Sequence, residues 1–187
     1  MAQNRHNSLL RIDPVIPDNC NGVIGMVICP GRRVSFAMGN DWNRNLDNDL
    51  QAIRDWGASA LVSLMEKDEM EFYGVGELPA KVIRLGMSHF HLPIADMDVP
   101  GKSFERQWQT SGEELRDMLL SGQSIVVHCL GGLGRTGTIA GRLLVELGAD
   151  PETAIRRIRG ARAGTIQTIM QEAYVRCCKP LDINRTT

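Results

Sequence analysis

Ten consecutive residues, His128-Cys129-Leu130-Gly131-Gly132-Leu133-Gly134-Arg135-Thr136-Gly137, place a thiol and a guanidinium at the two ends of a glycine-rich loop. Glycines let successive backbone N–H groups turn inward as an anion-binding nest, and the positive end of a following helix adds to that field. A cysteine at the mouth of such a nest has its thiolate stabilised by the same groups, so a nucleophile is expected at neutral pH. Arg135, six positions after Cys129, can hold two oxygens of one anion with its planar fork. Three plainer readings compete: a buried cysteine ending a strand, a glycine-rich packing turn, and a degenerate nucleotide loop. The last lacks the Gly-Lys-Ser/Thr ending that places a lysine and a magnesium-binding hydroxyl.

This chemistry requires a strand to deliver the cysteine and a helix to receive the loop. Ser124 to His128, with Ile125, Val126 and Val127 at its centre, supplies the strand, and Thr136 to Leu147 the helix. Upstream, Val23 to Cys29 and Ala60 to Met65 are compact apolar runs that read as buried strands, and Phe90 to Ile94 as another. Between them, Asn45 to Trp56 carries Leu46, Leu50, Ile53 and Trp56 at helical spacing, and Lys81 to Leu85 reads as helix. Ser103 to Leu120 is one long or interrupted amphipathic helix; Pro151 to Arg159 and Thr168 to Cys178 add two more. Alternating strands and helices predict an α/β domain with a mainly parallel central sheet flanked by helices. We divide the chain into an N-terminal arm (1–22), one domain (23–179) and a C-terminal tail (180–187).

With 187 residues, 43% of them hydrophobic, one domain with a substantial core is expected. The balance of 21 basic against 22 acidic residues leaves no global field to draw the protein to nucleic acid or to an anionic membrane. No apolar run in residues 1–22 reads as a signal peptide or anchor, so a cytoplasmic location is the default. Five cysteines (Cys20, Cys29, Cys129, Cys177, Cys178) show no metal-ligand spacing and make a poor disulfide framework. His6, His89, His91 and His128 are scattered; His89 and His91 alternate in a strand and read as strand positions in or near the core rather than as metal ligands. No metal and no cofactor are expected.

The loop resembles the Cys-x5-Arg-Ser/Thr signature of protein tyrosine phosphatases, in the His-Cys-x-Gly-Gly-x-Gly-Arg form of kinase-associated and related dual-specificity phosphatases. The resemblance extends to Pro93-Ile94-Ala95-Asp96 and Gly164-Thr165-Ile166-Gln167-Thr168, and more loosely from about Ile28 to Tyr174. It implies the single-domain cysteine phosphatase fold and assigns roles residue by residue. His128 would order the loop, Leu130, Gly131, Gly132, Leu133 and Gly134 would present amides to phosphate, and the Thr136 hydroxyl would stabilise the departing thiolate. Asp96 falls at the general acid; the Trp-Pro-Asp of phosphatases proper is absent, and Asp98 is the second choice. Ile166-Gln167-Thr168-Ile169-Met170-Gln171 matches the segment whose first glutamine positions hydrolytic water, with Gln171 secondary. Arg159 and Arg162 read as a charged helix face, with anion steering as the other reading.

The expected activity is hydrolysis of phosphate monoesters of phosphoproteins, on phosphotyrosine or with dual specificity, through a phosphocysteine. An inositol phosphate or phosphoinositide phosphatase of the same mechanism is the alternative. From other classes, a pseudophosphatase would need only the clamp, and a rhodanese-like sulfur transferase would need neither Asp96 nor Gln167. The physiological substrate and oligomeric state are not fixed by the sequence, nor is a protective disulfide from Cys129 to Cys20 or Cys29, whose alternative is ordinary structural thiols.

Overall fold

The computed structural model describes residues 9–34 and 42–181; His6 lies outside them. In chain order the strands are β1 (Asp13–Val15), β2 (Ile24–Val27), β3 (Arg33–Val34), β4 (Trp42–Asn43), β5 (Ala58–Ser63), β6 (Ser88–His91) and β7 (Ser124–His128). The helices are α1 (Leu46–Asp55), α2 (Lys67–Phe72), α3 (Leu78–Arg84), α4 (Lys102–Leu120), α5 (Gly134–Glu146), α6 (Pro151–Ala161) and α7 (Ile169–Cys177). Five strands form one sheet in the order β1-β2-β7-β5-β6, parallel except for β1, which runs antiparallel to β2. A separate two-stranded ribbon joins β3 to β4.

The central strands are buried on both faces, as parallel strands between helices must be. Ile125 and Val127 of β7 enter a core shared with α4, α5 and α6, whereas Val126 enters a second core with Leu50 and Ile53 of α1 and Val82 of α3. On β5 the register with β7 shifts between Ala58 and Ala60, which puts Ala58 and Leu61 on one face while Ala60 and Val62 take the other. α5 is buried along almost its entire length. Its C-terminal Glu146 is buried but fully paired: it accepts from Trp108 Nε1 (2.9 Å), Arg142 Nε (2.7 Å) and Arg116 Nη1 (2.5 Å), which locks α4 onto α5.

Several boundaries differ from the sequence reading. β1 lies within residues 1–22; Asp13 and Val15 are buried and Pro14 is exposed, a pattern three residues long and so without readable periodicity. β6 runs Ser88–His91, starting two residues before Phe90 and ending before Ile94, although Leu92 N and Ile94 N still donate to the Ser63 and Leu64 carbonyls (3.0 Å each). α5 begins at Gly134, two residues earlier than expected, since Gly137 N already donates to the Leu133 carbonyl (2.9 Å). α4 is continuous, and α2 is a six-residue helix with Met70 as its buried residue, too short to show an apolar stripe in the sequence. No helix among the described residues is long and apolar enough to cross a membrane.

Candidate active site

The site lies beyond the carboxyl ends of the parallel strands, where open α/β sheets place their ligand sites. Cys129, 3% exposed, directly follows β7, and residues 130–133 connect it to the buried N-terminus of α5. Gly132 has φ +65°, and a Cβ there would sit 2.2 Å from the Val27 carbonyl oxygen, so the loop can pass β2 only with glycine at this position. At Gly134 a Cβ would meet Gln167 Oε1 at 2.8 Å and Gln171 Nε2 at 2.9 Å; glycine therefore lets the segment before α7 close over the loop.

Each carbonyl from Cys129 to Gly134 accepts a hydrogen bond. His128 Nδ1 donates to Cys129 O (3.3 Å), and Cys29 N (3.1 Å) and Arg32 Nη1 (3.4 Å) to Leu130 O. Arg162 serves Gly131 O and Gly132 O, Gly137 N and Ile166 N serve Leu133 O, and Thr138 Oγ1 serves Gly134 O. No peptide bond among the described residues is cis. In a planar trans peptide the C=O and the next N–H point in opposite directions, so every carbonyl held this way turns the following amide away from its donor. The nest is thereby fixed from its outer side.

Arg135 is 1% exposed. Its Nη1 donates to Glu69 Oε2 (2.6 Å) and to the Ile94 carbonyl (3.0 Å), its Nη2 to Glu69 Oε1 (3.0 Å), and Nη2 also pairs with Asp96 Oδ1 at 2.8 Å. Burial works against its charge, yet the Glu69 hydrogen bonds and the nearby Cys129, Glu69 and Asp96 charges prevail and raise its pKa. For Glu69, burial likewise disfavours the carboxylate, and the Arg135 hydrogen bonds overcome it and lower its pKa. Glu69 stands in α2, whose capping box joins Glu66 and Glu69, and the sequence reading did not include it. That Glu66-x-x-Glu69 pattern would have placed a helix start there, but nothing in it points to Arg135.

The remaining predicted residues fall as follows. Asp96 is exposed at the rim and reaches Arg135, whereas Asp98 turns its Oδ1 to the N–H of Val99 (2.8 Å). Gln167 is exposed against Gly134. Gln171 is fully buried and structural in its contacts: Oε1 accepts from Gln167 N (2.9 Å) and Thr168 N (3.3 Å), and Nε2 donates to Asp98 O (3.1 Å), tying α7 to the Asp96 loop. The Thr136 hydroxyl and Arg135 Nε are buried without a hydrogen-bond partner among the described residues.

His128 heads a hydrogen-bonded chain of fixed direction. Cys129 O can only accept, so His128 Nδ1 carries the proton and Nε2 is an acceptor. Ser63 Oγ, 2.7 Å away, must therefore donate to Nε2 and accept in turn from His89 Nε2–H at 2.9 Å. Burial pushes His128 down to about 3 and His89 down to about 4, so both rings are neutral at pH 7. His91 is exposed and faces the Met65 carbonyl (2.9 Å). Among the described residues no group of three or more His, Cys, Asp or Glu side chains could hold a metal ion. All five cysteines are free; burial pushes Cys29 up to about 12, and its Sγ lies 3.6 Å from the Pro30 carbonyl.

Arg159 and Arg162, read as a charged helix face, also make specific contacts. Arg159 donates to the carbonyls of Thr165 (3.3 Å) and Ile166 (3.1 Å) and pairs with Glu172 (2.6 Å), bracing the Gln167 segment, while Arg162 holds the loop. Comparison with known proteins shows the family of the chain. Residues 36–149 match the family model described as "polymorphic toxin system, DSP-PTPase phosphatase". Cyclin-dependent kinase inhibitor 3 of Homo sapiens is 31% identical over 160 residues, 84% of this chain and 72% of that protein; the Rattus norvegicus protein is 30% identical over 165 residues, 87% and 74%. The crystal structure of kinase associated phosphatase with its catalytic-site cysteine replaced by serine superposes with a TM-score of 0.79 at 28% identity, covering 91% of this chain and 94% of that one. The chain belongs to the DSP-PTPase family and is a protein-tyrosine/dual-specificity phosphatase.

Proposed function

We propose that this protein hydrolyses phosphate monoesters of phosphoproteins in two steps through Cys129. The observation that carries the assignment is the state of Arg135: a fully buried guanidinium, fixed by Glu69 and Ile94 O, whose Nε has no acceptor among the described residues, at the end of a loop whose carbonyls are all engaged elsewhere. A phosphoryl group supplies oxygens for that N–H and for the amides of Leu130 to Gly134.

In the first step the Cys129 thiolate attacks phosphorus as the ester P–O bond breaks, and Asp96 gives its proton to the leaving oxygen. Asp96 suits this task because its loop sets it 2.8 Å from the clamp, whereas the Asp98 carboxylate is occupied by its own turn. In the second step a water beside Gln167 attacks phosphorus, gives its proton to Asp96, and the P–S bond breaks; the Thr136 hydroxyl donates to the departing sulfur. Arg135 and the loop amides hold the charge on the equatorial oxygens throughout.

Substrate charge favours phosphoprotein over inositol polyphosphate. Arg135 is the only formally charged side chain between Cys129 and Thr136. Arg32 and Arg162 approach the loop through its carbonyls, on the side opposite the amides. Five cysteines with no disulfide among them and a formal net charge of only −1 suit a cytoplasmic phosphoprotein phosphatase. The test is Cys129→Ser: turnover of a phosphotyrosine peptide should vanish while the peptide still binds, as measured by calorimetry. Activity retained within a few-fold would refute the phosphocysteine route.

A further inference from the structure

Arg162 lies outside α5 and outside the signature loop, yet it makes two of the hydrogen bonds that shape that loop. Its Nε donates to Gly132 O at 2.7 Å and its Nη2 to Gly131 O at 3.2 Å. Its third nitrogen, Nη1, donates to Asp13 Oδ2 at 2.5 Å. The Asp13 side chain is 6% exposed, stands in β1 and receives Arg11 Nε on its other oxygen at 2.6 Å. The guanidinium thus uses all three nitrogens, two on consecutive loop carbonyls and one on a carboxylate rooted in the sheet edge.

We infer that Arg162, held by Asp13, is a positioning residue that orients the phosphate-binding amides of Gly132 and Leu133. This inference rests on the phosphatase reading above. Peptide planarity carries the argument: fixing the Gly131 carbonyl on Arg162 fixes the Gly132 N–H on the other side of the loop, and fixing the Gly132 carbonyl does the same for Leu133 N–H. Glycine has the widest choice of φ and ψ, so without an external brace both peptide planes could turn over, each offering a carbonyl oxygen where an anion needs an amide. Two adjacent glycines are the weakest part of the nest, and Arg162 meets the chain at those two residues. A rigid planar fork suits this task, because one ammonium cannot span two consecutive carbonyls and a carboxylate together. Asp13 keeps the half-buried cation paired, so its role behind the loop is geometric rather than attraction of substrate from solvent.

The experiment compares Arg162→Ala, Arg162→Lys, Asp13→Asn and the control Arg157→Ala. Arg157 ties α6 to the same N-terminal segment through Asp18 (2.8 Å) and the Ile16 carbonyl, without touching the loop. Vanadate affinity is measured by calorimetry on the full chain, alongside kcat and KM for p-nitrophenyl phosphate and thermal unfolding. Arg162→Ala should weaken both vanadate binding and kcat/KM about 10- to 100-fold, less than the loss of about 10²- to 10³-fold from deleting an oxyanion donor outright, because the amides remain but lose their fixed orientation. Arg162→Lys should recover only part of that, Asp13→Asn should lie between wild type and Arg162→Ala, and Arg157→Ala should stay within about twofold. A purely structural role would lower the unfolding temperature and leave vanadate affinity of the folded protein unchanged, and that result overturns the inference. If Arg162→Ala does not fold, Arg162→Lys and Asp13→Asn decide by the same criterion. Wild-type protein that binds no vanadate would instead overturn the phosphatase reading, and with it this inference.

Discussion

Replacing Ser63 with alanine tests the hydrogen-bonded chain behind Cys129. Ser63 is fully buried at the end of β5 and gives its proton to His128 Nε2, which is itself fully buried. Without the hydroxyl that acceptor has no donor and no route to water, which costs about 1–3 kcal/mol. The cost can be evaded only if the ring takes its other tautomer, which withdraws the Nδ1–H from Cys129 O and frees the first peptide of the nest to turn. His89 provides the contrast. It is only partly buried, so His89→Ala lets water reach Ser63, and its cost should stay below about 1 kcal/mol. Urea unfolding at pH 7.5 measures both, with kcat/KM on p-nitrophenyl phosphate read in parallel. The chain predicts that Ser63→Ala is the more destabilising by about 1–2 kcal/mol and the more damaging to turnover. Equal effects of the two substitutions, or a Ser63→Ala protein within about 0.5 kcal/mol of wild type, would refute the assigned direction of donors.

Asp96→Asn should lower kcat about 10²- to 10⁴-fold for alkyl phosphates and much less for p-nitrophenyl phosphate, whose leaving group needs no proton. Asp98→Asn should leave both rates near wild type, since its carboxylate serves Val99 N–H; the opposite ranking moves the acid to Asp98. Acid should unfold the protein through its histidines: His128 is pushed down to about 3, while the unfolded chain titrates near 6.5, so in that window the unfolded state binds the extra proton. Stability is therefore complete above about pH 6.5 and falls by about 1.4 kcal/mol per pH unit from His128 alone as pH drops towards 3, with His89 adding to it down to about 4. A urea midpoint that stays flat between about pH 6.5 and 4.5 would contradict the neutral, buried state of these rings.

What the sequence made legible and what it hid divide by chain distance. The loop from His128 to Thr136 carries Cys129, the glycine amides and Arg135, the proposed nucleophile, nest and clamp, within one strand-to-helix connection, so residue types alone suggest its chemistry. β7 was placed at its observed bounds, and α1 to within a residue, because Ile125–Val127 form a continuous apolar core and Asn45 caps a helix with a clear apolar stripe. Glu69 was invisible for the opposite reason. It sits 66 residues before Arg135 in Lys67-Asp68-Glu69-Met70-Glu71, where a carboxylate that fixes a buried arginine looks like any solvated helix face. Arg162 was seen but misassigned, since its partner Asp13 is 149 residues away in a strand too short to show a period. Ser63 is one hydroxyl inside the apolar run from Ala60 to Met65. These three share a physical character: each is a polar group whose partner is another polar group across the fold, so neither periodicity nor propensity marks it, and only burial makes its pairing obligatory. Cys129 and Arg135 could be read along the chain because one short loop carries both; the groups that brace that loop converge from β1, β5, α2 and the segment after α6. The order of the sheet brings them together, with β7 at its centre and both neighbouring strands ending beside Cys129.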